Sequence, residues 1–287
     1  MPSYQKVASV TSVDKHTADV PVLLYKHKKL FSGGNDGKIK VWNNDLKLEK
    51  TIEAHPVNVY DLAANDKYLF SCSNDNTIKV WNIDTYELVK SIDRNMDTAV
   101  LKLFHTGDDK LYAGDDVGNI LVLQNEDTTV GQYGILEEVT GLCAKDNYLY
   151  TTGQHDFTIS EMKPGNKTQF CTRKCESGHG PVCLTNDKVF FVNSDGRSIC
   201  VLEANPGFKN LATLQGHEMI VNAMNADHSL NILYSGGYDK VLKSWDTNTF
   251  KSTASVSIGN CINAIASGDN QVFVSSGDGD IDKFVVQ

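Results

Sequence analysis

His16, Ser32 and Asp36 fall close together in the chain, and the same residue types return as His55, Ser71 and Asp75 and again as His217, Ser235 and Asp239. A hydroxyl, an imidazole and a carboxylate are the parts of a nucleophilic triad, in which the carboxylate orients the imidazole and the imidazole takes the hydroxyl proton. Two observations turn the reading from catalysis to structure. The set occurs three times, whereas a reaction centre is built once. Each copy also carries a tryptophan ten residues after its serine, at Trp42, Trp81 and Trp245. A buried indole N–H needs an acceptor, and a buried hydroxyl and imidazole need partners. The four side chains can satisfy one another and lock a turn, and losing one member would leave the others unpaired at ~1–3 kcal/mol each.

The segments that must position these residues are LFSGGNDGKIKVW (30–42), LFSCSNDNTIKVW (69–81) and LYSGGYDKVLKSW (233–245). Each has an apolar run, a serine, a small polar turn ending at aspartate and an alternating run closing on tryptophan, which reads as two antiparallel strands joined by a tight turn. The apolar residue near the start of the second strand recurs at Ile39, Ile78, Ile120, Ile159, Ile199, Leu242 and Ile281, at intervals of 39, 42, 39, 40, 43 and 39 residues. A period of roughly 40–45 residues is that of four-stranded propeller blades. The expected fold is all-β, a single seven-bladed propeller over residues 1–287. Unit seven runs out after its third strand, so residues 4–13 at the N-terminus are expected to supply its fourth strand and close the ring.

On these residues the chain resembles the WD-repeat, beta-transducin-like propellers. The resemblance implies a buried hydrogen-bonded set in the units of His16, Ser32, Asp36 and Trp42, of His55, Ser71, Asp75 and Trp81, and of His217, Ser235, Asp239 and Trp245. The other units depart from it. Unit three has Ala113, Val117 and Leu123 at the serine, aspartate and tryptophan places. Unit four has Thr152, Asp156 and Met162, unit five Gly178-His179 and Asp195 in a turn one residue longer, and unit seven Asp278 and Phe284. Apolar packing is expected to replace the polar set there.

Composition narrows the function classes. The net charge is −9, and KHKK (26–29), read as a solvated loop, is the only compact basic run, which argues against direct nucleic-acid binding. No apolar run approaches the length of a membrane span, and MPSYQKVASV lacks an apolar signal core. Seven cysteines, an odd number lying mostly in predicted strands, read as buried free thiols of an intracellular protein, cytoplasmic or nuclear. Cys171 and Cys175 form a lone C-x-x-x-C without a second pair, a poor zinc signal, and the Asn166 sequon matters only for a secreted chain.

The resemblance also sorts the loops into two ends. Turns between second and third strands and connections between blades share the top end, and these segments hold 18 Asp or Glu against four Lys or Arg (Lys15, Arg94, Arg197, Lys240). The bottom loops hold 14 against 12. Asp97, Asp115, Asp116, Glu137 and Glu138 concentrate on units three and four and are expected to form an acidic rim that attracts cations. The residue before the turn aspartate points to the mouth in family members, which gives Asn35, Asn74, His155 and Tyr238 here, and Met219 lies in the loop entering unit six. The expected function is a scaffold or adaptor without cofactor or chemistry of its own, binding a protein partner with Lys or Arg on the top face. The alternative is an enzyme or metal-binding propeller working in the central mouth, although the chain has no H-E-x-x-H, P-loop or G-x-S-x-G motif.

Overall fold

The computed structural model describes residues 3–93, 97–125, 128–135, 137–163 and 167–286; Arg94 and the Asn166 sequon residue lie outside them. Among the described residues the regular structure is 27 strands and one short 3-10 turn, Gly277–Gly279. The alternation read from the sequence sets the strands. In the second unit β6 (Val59–Ala64), β7 (Tyr68–Ser73), β8 (Thr77–Asn82) and β9 (Leu88–Asp93) pair in order as an antiparallel sheet. Ile78, Val80 and Trp81 of β8 are buried and Thr77, Lys79 and Asn82 are partly exposed, so one strand covers a core with alternate side chains.

Four more sheets have four strands each. β2 to β5 (22–53) form the first, β10 to β13 (100–134) the third, β21 to β24 (221–257) the sixth, and β25 to β27 (262–286) the last. The last takes its fourth strand from β1 (Tyr4–Ser9), which pairs with β27 (Ile281–Val286) from Tyr4 opposite Val286 to Ser9 opposite Asp282. The remaining sheet, β14 to β20 (141–214), has seven strands. Its middle strand, β17 (Phe170–Leu184), pairs with β16 (Asp156–Met162) through its first half and with β18 (Lys188–Asn193) through its second. It is at once the outer strand of unit four and the inner strand of unit five.

The inner strands β2 (Val22–Lys26), β6, β10 (Val100–His105), β14 (Gly141–Lys145), the end of β17, β21 (Val221–Asp227) and β25 (Ile262–Gly268) each pack on the next, and β25 packs on β2. The apolar core is divided accordingly into seven clusters, each shared by two neighbouring units. A sheet that is apolar on both faces must be covered on both, and a closed ring does this for every sheet.

Register corrects the reading of unit four. A β-bulge interrupts the pairing of third and fourth strands at Trp42, Trp81 and Trp245, and at Leu123 and Leu202 in units three and five. In unit four the bulge falls at Ser160, and Leu149 opposite Ser160 matches Leu69 opposite Trp81. Ser160, not Met162, therefore holds the tryptophan place, Thr151 rather than Thr152 the serine place, and Phe157 rather than Ile159 the place of Ile78. The apolar residues on either side concealed a slip of one or two positions.

The hydrogen-bonded turns and the candidate interaction surface

In units one, two and six the four side chains form one directed chain of hydrogen bonds. Trp42 Nε1–H donates to Ser32 Oγ at 2.8 Å, Ser32 Oγ lies 2.8 Å from His16 Nε2, and His16 Nδ1 is 2.9 Å from Asp36 Oδ1. The same distances are 3.0, 2.8 and 2.7 Å for Trp81, Ser71, His55 and Asp75, and 2.8, 2.7 and 2.7 Å for Trp245, Ser235, His217 and Asp239. Serine accepts from the indole, and the imidazole bridges the serine hydroxyl at Nε2 and the carboxylate at Nδ1. Burial lowers the pKa of His55 and His217, against the pull of Asp75 and Asp239. Burial opposes ionisation of Asp36, but the hydrogen bonds from His16, Thr17 N–H and Lys38 N–H outweigh it and hold the carboxyl down to about 2.

A fifth member was not anticipated. Lys40 and Lys79 lie opposite the serines and donate to backbone carbonyls at the end of the preceding unit: Lys40 to Asp14 and Lys15, Lys79 to Ala54. Lys243 has the same register opposite Ser235. The repeated lysine two residues before each tryptophan was the available signal. It ties the set to the loop that delivers its histidine. Gly37, at φ 78°, completes the contact between units, since a Cβ there would meet His55 O at 2.3 Å. Gly118, at φ 90°, does the same against Glu137 O.

The other units behave differently. Asp115 is fully buried, and its carboxylate accepts from Val117 N–H, Asn119 N–H and the Asn119 amide. It braces its own turn and is no part of an acidic rim. Asp156 and Asp278 are exposed and belong to no buried set. His179 sits within β17, its Nδ1 at 2.8 Å from Gly180 O, while Asp195 accepts from Arg197 and Ser198 in its own turn. Phe191 takes the serine place of unit five and stacks on Phe157 of unit four, with ring centroids 3.9 Å apart. Cys171 and Cys175 are exposed on β17 rather than buried. In the KHKK run the turn residues His27 and Lys28 are exposed, while Lys26 pairs with Asp66 at 2.6 Å and Lys29 with Glu49 at 3.0 Å, which joins the bottom of unit one to unit two and across its own sheet.

Antiparallel order puts the turns after second strands at the same end as the connections between units. That end carries Asn35, Asn74, Asp97, Asp116 and His155, all exposed, with Glu137 and Glu138 half-buried. Glu137 accepts from His155 N–H at 3.2 Å and Glu138 from the Gln154 amide at 2.9 Å. Met219, Ile220 and Tyr238 are about half exposed, at 52%, 51% and 50%. Tyr238 N–H donates to Ile220 O, which sets Tyr238 beside the segment that carries Met219 and Ile220 at unit six. Val13, Val57 and Val117 are further exposed apolar residues at this end. The sequence gives no signal for Ile220, because its place beside Tyr238 depends on two segments that meet only in the fold.

The central mouth is a cavity of about 530 Å³ lined by Asp19, Asn35, Lys102, Gln154, Asn222 and Asn263, among others. Deeper in the channel, Asp61 accepts from Leu103 N–H at 2.9 Å, and burial raises its pKa against the charge of Lys102. No group of three or more His, Cys, Asp or Glu placed to hold a metal occurs among the described residues. No helix is long and apolar enough to cross a membrane among the described residues.

The family model for the WD domain, G-beta repeat, matches residues 6–43, 46–82 and 208–246, the three units with complete hydrogen-bonded sets. No curated protein matches the chain. Among solved structures, the crystal structure of the computationally designed Ika8 protein is similar, with TM-score 0.75 and 20% identity over 98% of this chain and 99% of that chain, a likeness of fold. Propellers with such repeats generally serve as protein-interaction scaffolds and are not typically enzymes. Repeats, hydrogen-bonded sets and a ring of sheets together identify the fold as a β-propeller, three of whose units match the WD-domain repeat.

Proposed function

We propose that the chain is a non-catalytic scaffold, a subunit or adaptor of a larger assembly, that binds a Lys- or Arg-bearing partner protein on its top end. The observation that carries this reading is the group of half-exposed Met219, Ile220 and Tyr238 on an end whose loops are rich in carboxylates. Exposed apolar side chains grouped on one surface mark interaction sites, and aromatic and methionine anchors ringed by charge are what protein interfaces use. Asp97, Asp116, Glu137 and Glu138 would draw a basic partner toward the mouth, where Asn35, Asn74 and His155 offer polar contacts.

The test is affinity capture from native extract. Wild type is compared with Glu137→Lys/Glu138→Lys and with Met219→Ala/Tyr238→Ala, each first shown to keep the wild-type melting temperature. Both variants are expected to lose the same captured proteins. Undiminished capture by both would remove the top end as the binding site.

A further inference from the structure

At the opposite, bottom end, a cleft of about 270 Å³ opens between units three and four. Its walls are apolar, formed by Tyr112, Tyr133 and Met162, all buried, with Val122 and Val130. Its lip carries three lysines from three different segments: Lys110 at the start of β11 (Lys110–Asp115), Lys163 just after β16 and Lys167 just before β17. Asp146 is the one carboxylate lining it. Lys110 is paired with Asp108, and Lys167 reaches the Thr129 carbonyl at 3.5 Å. Lys163 makes no ion pair with any described residue. Lysines commonly lay their stems over apolar surface and so cover it. Here three of them surround a cleft that stays open, and the Lys163 ammonium is ion-paired with no carboxylate among the described residues.

We propose that this cleft binds a small amphipathic anion, with a short acyl or aryl body on Met162, Val130 and the two tyrosine rings and a carboxylate or phosphate among the lysines. The volume lies just below the usual range for ligand sites, which limits the body to about ten carbon atoms. A charged head held by two or three ammoniums gains charge-assisted hydrogen bonds, and the apolar body gains burial in proportion to its area. The inference is independent of partner binding at the top end.

Isotope-labelled methionine methyl groups give a local probe, because Met162 lines the cleft and the remaining methionines lie elsewhere in the sequence. The Met162 resonance is followed during titration with octanoate, with octanol and with inorganic phosphate at constant ionic strength. Octanoate is expected to shift it saturably, with an affinity at least ten-fold above that of either other probe. Lys163→Gln/Lys167→Gln should reduce octanoate to the level of octanol, and Val130→Trp should abolish both responses with the other methionine resonances unmoved. No saturable shift with octanoate, an equal response to octanol, or an unchanged octanoate affinity in the lysine variant would each overturn the proposal. A shift by phosphate alone would reduce the site to a lysine cluster and overturn it as well.

Discussion

Unit two and the border of units four and five fill equivalent places by opposite means. In unit two Ser71 accepts from Trp81 and is bonded to His55, which is bonded in turn to Asp75. At the other border Phe191 stands where Ser71 does, Ser160 stands where Trp81 does, and Phe157 stacks on Phe191 across the border. Both fill space, but only the first reaches into the turn and the loop that follows. A histidine held by a carboxylate fixes how the chain enters the next blade. Between units four and five no such bond exists among the described residues, and the chain crosses from one blade to the next as the continuous strand β17, with His179 turned to its own neighbour's carbonyl. Hydrogen bonds here determine geometry, and apolar stacking supplies cohesion.

The contrast can be broken first at the aromatic pair. Phe191→Ala removes a fully buried ring whose space cannot collapse, and should cost about 3–5 kcal/mol in a urea unfolding measurement. A loss under about 2 kcal/mol would mean that the stack does not hold the border. Next in size, Ser71→Ala should cost ~1–3 kcal/mol, because the Trp81 N–H and His55 lose their partner. Trp81→Phe on that background should add less than it costs alone, since the two act as one unit. Strictly additive losses would show that the set is not coupled.

Acidification should weaken the polar units and spare the stack. His55 and His217 have folded pKa values below the unfolded value of about 6.5, so the unfolded state binds the extra protons and stability falls as pH drops below about 6.5. Asp36, held to about 2 against about 3.9 when unfolded, contributes stability above pH 4 that is lost between about 4 and 2. Urea midpoints measured from pH 7.5 downward should therefore decline in two stages. In a His55→Gln/His217→Gln variant the first stage should flatten, and an undiminished first stage would place its origin elsewhere. The smallest effect is expected at Ser160, whose buried hydroxyl has no hydrogen-bond partner among the described residues. Ser160→Ala should be neutral or stabilising by about 1 kcal/mol, and a loss beyond that would reveal a partner for the hydroxyl.

The repeat made most of the architecture legible. Strand periodicity, the three complete sets and the N-terminal segment facing an unfinished last unit could all be read residue by residue. Unit four was misread because Ile159 and Met162 are apolar residues at the expected spacing, while the true tryptophan place holds a serine that resembles nothing. Asp115 was misplaced for a related reason. One carboxylate in a turn looks like another until its hydrogen bonds are known, and this one turns inward to three donors instead of outward to solvent.

By itself the sequence determined that the chain is a ring of repeated antiparallel sheets and which residues form the buried polar units, because strand period and hydrogen-bond complementarity are local properties that repetition makes visible. Only the tertiary structure decided which carboxylates face water, that Ile220 meets Tyr238, that units four and five share a strand, and that three lysines from separate segments surround one apolar cleft. Those facts depend on how one blade lies against the next, and packing between segments distant in the chain leaves no periodic trace in the sequence.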